Sequence, residues 1–137
     1  MSGFVDTIIF ERLVVRDDVD MARRCSELLQ QGERGEIELV TSEAVVAATV
    51  YVRSSPRHYG ISRKEIVNRL GAVLSNNRLR LPAKEITLQA LELFGNSTFS
   101  FVDCLCVMHS LGAEPPHRLY SFDRSLARVP ALRRLEP

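Results

Sequence analysis

Apolar and polar positions change their period several times along the chain, and each change marks an element. Gly3, Phe4 and Val5 precede an acid, Asp6, and read as a short buried strand. Residues 7–15, TIIFERLVV, do not alternate and predict a short helix. Across 16–35 acids come first, and Val19, Ala22, Cys25 and Leu28/Leu29 then recur at helical spacing, which predicts a helix with those residues inward and Gly32 and Gly35 as its stop. EIELVT, 36–41, alternates and is a strand, while SEAVVAATVYVRSS is apolar over most faces and predicts a buried helix from near Ser42. The Val and Thr content of that segment makes strand its competitor. PRHYG, 56–60, reads as a turn. Ser62-x-x-Glu65 is a capping-box pattern opening a helix with Ile66, Leu70 and Val73/Leu74 on one face. RLRL is a brief strand, after which Pro82 starts a helix with Ile86, Ala90 and Leu93/Phe94 inward, ending at Gly95-Asn96. FSFVDCLCVMHSLG predicts a helix closed by Gly112. Leu119-Tyr120-Ser121 reads as a strand with Asp123 just beyond it, and ALRRL as a last short strand.

Short strands alternating with amphipathic helices predict an α/β sandwich with a mostly parallel sheet, whose sites form outside the carboxyl ends of the strands. Asp6 sits at such an end. Burying a lone ionised acid costs several kcal/mol unless it is compensated. Asp6 is therefore either at a strand tip reached by solvent or has a partner. If the first strand neighbours the one before Asp123, two acids from opposite ends of the sequence meet at one sheet edge, and Asp6 is one wall of an acidic pocket.

Composition narrows the classes. The 137 residues fit one domain, 1–137, with a full core, and a net charge of +1 gives no global field that would recruit nucleic acid or membrane. Three cysteines without a C-x-x-C pair favour a reducing compartment over a disulfide framework. The first strand pattern begins by residue 4 without a basic leader, and AVVAATVYV is far too short to span a bilayer. A cytoplasmic protein with no membrane partner is the expectation.

Taken together, FVDT with Asp6 and Thr7, SEAVVAATVYV after the second strand, FSFVDCL with Asp103, and LYSFDRSL with Ser121 and Asp123 resemble PIN-domain nucleases, in particular the VapC-like toxins of toxin–antitoxin pairs. The resemblance runs almost end to end. It implies a PIN-like α/β/α sandwich with a mostly parallel central sheet of four to five short strands flanked by helices. It also implies a metal-dependent ribonuclease acting on RNA, a homodimer, and a small antitoxin protein as partner. Asp6, Asp103 and Asp123 are then the catalytic and metal-binding acids, supported by Thr7 and Ser121. Three positions depart from the family: Ala48 stands where a Glu is usual, Ile8 where an Asn is common and, more weakly, Ser125 where an acid is often found. Glu43 is a poor substitute for the missing acid, since five helical steps rotate it about 140° away.

Converging carboxylates repel one another and invite a divalent cation, and hard oxygen ligands suit Mg²⁺ or Mn²⁺. Asp6 and Asp123 are expected as ligands, and Asp103 as a ligand or the orienter of a bound water. Thr7 and Ser121 would hydrogen-bond the acids or the backbone around them. Zinc on Cys104, Cys106 and His109 is disfavoured: Cys104 and Cys106 lie about 200° apart on a helix, and buried cysteines acting as small apolar residues explain them better. Cys25 is read as core.

Arg16 and Arg124, and a second group of Arg53, Arg57, His58 and Arg63, are candidate phosphate contacts, though each is also ordinary solvated surface. No interleaving of aromatic and basic residues marks a base-stacking platform. The competing reading, motivated by Ala48 and Ile8, is a catalytically weakened or inactive PIN scaffold that acts as a binding or regulatory module. A receiver-like phospho-acceptor is a third, but EIELVTSE lacks the central Asp it needs.

Overall fold

The computed structural model describes residues 1–55 and 60–137. The protein is α/β, with short parallel strands in two small sheets, and divides into two compact units, 1–84 and 85–137. The turn predicted at 56–60 lies, but for Gly60, outside the described residues, as do Arg57 and His58.

The first unit holds β1 (Ser2–Phe4), α1 (Thr7–Val14), α2 (Val19–Glu33), β2 (Glu38–Val40), α3 (Glu43–Ser54), α4 (Arg63–Leu74) and β3 (Leu79–Arg80). Its strands form a parallel sheet in the order β1-β2-β3, with Gly3 opposite Leu39 and Leu39 opposite Leu79. The strands are short, yet their bonding continues past them. Val5 N–H donates to Val40 O at 2.8 Å, and Thr41 N–H to Arg80 O at 2.9 Å. The buried Thr41 hydroxyl donates to Val5 O at 2.9 Å, so one threonine joins the ends of all three strands.

Helix starts follow the sequence signals. Ser42 and Ser62 accept hydrogen bonds from Val45 N–H and Glu65 N–H, and Asp18 accepts from Met21 N–H, each a side-chain cap on an otherwise unpaired donor. The 43–54 segment is helix, not strand. Val46, Thr49, Val50 and Arg53 are buried at the i, i+3, i+4, i+7 spacing, and the Thr49 hydroxyl donates to Val45 O. α1 packs against α2, α3 and α4, with Phe10, Leu13 and Val14 buried.

Two expectations for α2 are corrected. Val19 is 78% exposed, being the first residue of the helix and beyond the reach of the core. Gly32 is not the stop but a close approach: a Cβ there would lie 2.8 Å from Leu39 Cδ1. The stop is Gly35, at φ +77°, with Gly35 N–H bonded to Gly32 O and Glu36 N–H to Gln31 O, the paired bonds of a Schellman turn.

The second unit holds nearly all of α5 (Lys84–Gly95), then α6 (Phe101–Leu111), β4 (Leu119–Tyr120), a short 3₁₀ turn (Arg124–Arg128) and β5 (Arg134–Leu135). β4 and β5 pair in parallel, Leu119 opposite Arg134. α5 begins at Lys84, two residues later than expected from Pro82, because Ala83 adopts a left-handed conformation (φ +53°) that breaks helical continuity. Val107, Leu126 and Val129 form a buried cluster with Leu93, Phe99, Met108, Leu111, Leu119 and Leu132 packed against it. Phe94 and Phe101 meet edge to face, centroids 6.0 Å apart. Among the described residues no helix is long and apolar enough to cross a membrane.

Candidate functional site

Asp6 is the first residue past the bonded part of β1. Val5 before it is buried, whereas Asp6 itself is exposed, so no carboxylate is hidden in the apolar run. Its backbone is extended (φ −92°, ψ 178°), and its Oδ1 accepts from Ile9 N–H at 3.3 Å as the N-cap of α1. The strand thus ends and the helix begins on the same acid. Thr7 is the first helical residue and half-buried, and Ile8 follows with 57% of its surface exposed. Ala48 is exposed on α3, and Glu43, in the first turn of that helix, is half-buried.

Asp103 and Asp123 belong to the second unit. Asp103 is half-buried in the first turn of α6, where its N–H donates to Ser100 Oγ, the helix cap, at 3.1 Å. The helix dipole favours an anion there. Asp123 is exposed and caps the 3₁₀ turn. Its Oδ1 accepts from Ser125 Oγ at 2.6 Å and from Ser125 N–H at 2.9 Å. The Ser125 hydroxyl and then its N–H, with lesser help from Arg128 and Arg134, hold the Asp123 carboxyl below its ordinary value.

Ser121 performs one of the two roles open to it: its Oγ accepts the Asp123 N–H at 3.0 Å, and Ser121 itself is fixed through Leu135 O and Arg134 Nη1. Sequence reasoning missed Ser125, which it treated only as a lost acid. The signal was available in Asp123-x-Ser125, since a serine two residues after an aspartate readily closes such a turn.

The three acids share one local setting. Each stands at the start of a helical segment, and two of them follow a strand within three residues. Asp6 lies in the first unit, and Asp103 and Asp123 in the second. Among the described residues no three His, Cys, Asp or Glu side chains form a metal-binding group. On α6, Cys104 is buried, but Cys106 and His109 are exposed. The expectation that Cys106 is core is therefore corrected; it lies on the opposite side of the helix from Cys104. Cys25 is core, and burial pushes its thiol pKa up.

The basic candidates separate sharply. Arg53 is not solvated surface: it is buried and pairs with Glu11 at 2.8 Å through Nη2. Arg16 is exposed and Arg63 half-buried, while Arg124 is exposed with Nε 3.9 Å from Glu136. No family model and no curated protein matches this chain.

Proposed function

We propose that the chain is a metal-dependent ribonuclease of the PIN-domain type, resembling the toxin of a toxin–antitoxin pair and working with a reduced set of acids. The observation that carries this reading is the common setting of the three acids at helix starts: Asp6 caps α1, Asp123 caps the 3₁₀ turn, and Asp103 stands in the first turn of α6. In this reading 1–137 is a single PIN-like α/β/α domain, and Asp6, Asp103 and Asp123 are its catalytic acids.

The donor chemistry fits a hard cation. Asp6 and Asp123 each bind backbone N–H through Oδ1 and are exposed, so Oδ2 is the ligand atom each would offer. Mg²⁺ commonly takes only one or two carboxylates and keeps waters for the rest, which suits a pair of ligands without a dedicated protein cage. Asp6 and Asp123 would hold the ion, and Asp103 would ligate it or orient a water. Bound Mg²⁺ or Mn²⁺ would supply neutralisation of the scissile phosphate and a more acidic water. Ser121 and Ser125 keep Asp123 in place and ionised. A homodimer, a small antitoxin partner and a cytoplasmic setting belong to the same proposal.

A second reading, the weakened or inactive scaffold, draws on Ala48 and Ile8: an exposed methyl and an exposed apolar chain stand at the positions where the family carries a Glu and an Asn. One experiment separates the two. Incubated with end-labelled structured RNAs and Mn²⁺ or Mg²⁺, the protein is expected to cut, and Asp6→Asn to abolish cutting. Cleavage that arises only in Ala48→Glu would instead establish the scaffold.

A further inference from the structure

From the segment 118–124 we infer a single-stranded RNA stacking platform beside Asp123, resting on the ribonuclease reading. Its residues differ in depth. Leu119 packs against the buried cluster, and Ser121 is half-buried and bonded to Asp123, Leu135 and Arg134. In contrast, Arg118 is exposed, Tyr120 is 63% exposed and Phe122 is 74% exposed. Arg124, the first residue of the 3₁₀ turn, has 86% of its side chain in solvent.

Two large rings stand in solvent, two positions apart and bracketed by arginines. Single-stranded nucleic acid matches both chemistries at once. Bases stack on aromatic faces regardless of sequence, and guanidiniums pair with phosphates. The charge around the rings agrees, because residues 118–136 carry five arginines against two acids. Arg118 also lines a shallow hollow with Arg133, Ala127 and Leu132, extending the cationic surface along β5. Of the two acids, Asp123 is occupied by Ser125, and Glu136 is bonded to Arg134.

The position of the rings matters for the proposed chemistry. Phe122 is the residue before Asp123, so a base on this ring puts its sugar–phosphate next to the acid proposed as a metal ligand. The rings would hold a strand, and Arg118 and Arg124 would hold its backbone. The platform corrects the expectation that no aromatic–basic interleaving exists: Arg118-x-Tyr120-x-Phe122-x-Arg124 interleaves the two types.

The test is binding of a fluorescein-labelled single-stranded RNA of about twelve nucleotides, a length within the usual footprint of such surfaces. The full chain is used in EDTA, and affinity is read by anisotropy. Tyr120→Ala and Phe122→Ala are each expected to weaken binding about tenfold, and Tyr120→Phe to leave it unchanged. Arg118→Ala and Arg124→Ala should each lower the salt dependence by roughly one counterion. The same RNA annealed as a duplex should bind without sensitivity to the rings. Unaltered affinity in the Tyr120→Ala/Phe122→Ala double variant, its circular dichroism matching wild type, overturns the platform. So does a double variant that sediments as a smaller species with RNA affinity intact, since the rings would then face a second copy. Without metal, binding is read apart from cutting. Missing cleavage with ring-dependent binding would overturn the nuclease reading alone, and ring-independent binding with cleavage intact would overturn the platform alone.

Discussion

In the first unit Arg53 lies buried against Glu11, and Arg69 reaches 2.6 Å from Val14 O to close the end of α1. In the second, Arg118 and Arg124 stand in solvent with Tyr120 and Phe122 between them. The same side chain serves opposite purposes. Where several helices pack on one sheet, an arginine turned inward must be answered by a carboxylate or by carbonyls, and then becomes part of the framework. Around the short strand β4 the buried cluster takes Leu119, and the arginines and aromatics beside it stay in solvent, available to a ligand. Basic residues in a sequence therefore say little about binding until their depth is known.

The contrast can be broken most forcefully at Glu11. Glu11→Ala leaves the Arg53 charge buried without its carboxylate and should cost about 3–5 kcal/mol in urea unfolding. Glu11→Leu combined with Arg53→Met should recover most of that loss, because an apolar pair needs no compensation. If the single variant loses under 1 kcal/mol, Arg53 is not the internal fixture described. Ser42→Ala, which removes the cap of α3, ranks next at about 1 kcal/mol.

Smaller still is the effect of acid on Asp123. Its folded pKa is depressed, so its contribution to stability is complete above the ordinary carboxylate range and is lost as pH falls through the lowered folded value. Ser125→Ala removes the first cause of that depression, and carboxylate NMR of the metal-free protein should show Asp123 titrating nearer its usual range. An unmoved titration would mean that the Ser125 hydroxyl does not hold the acid. Least of all, Arg124→Ala and Tyr120→Ala should leave stability within about 0.5 kcal/mol, as expected of exposed side chains without structural duties. A larger loss would make them part of the fold and remove the contrast between the two regions.

Most elements were legible because their signals are local. Ser42 and Ser62 cap the helices they precede, and Gly35 ends α2 by adopting a positive φ. Other features depended on neighbours distant in sequence. Gly32 reads as a stop until Leu39 is found against it. Arg53 reads as surface until Glu11, 42 positions earlier, is found beside it.

By itself, then, the sequence determined most of the order and type of the elements and the three acids, Asp6 at a strand end, Asp103 at a helix start and Asp123 just beyond a strand. Caps, periodicity and turn residues act over a few positions, so a linear reading can see them. Tertiary structure alone decided which side chains are spent on the interior and which face outward. Thr41 joins three strand ends and Arg53 is enclosed, while Leu119 packs on the buried cluster and Tyr120 and Phe122 are left in solvent. Depth is set by packing between segments remote in the chain, and no local pattern records it.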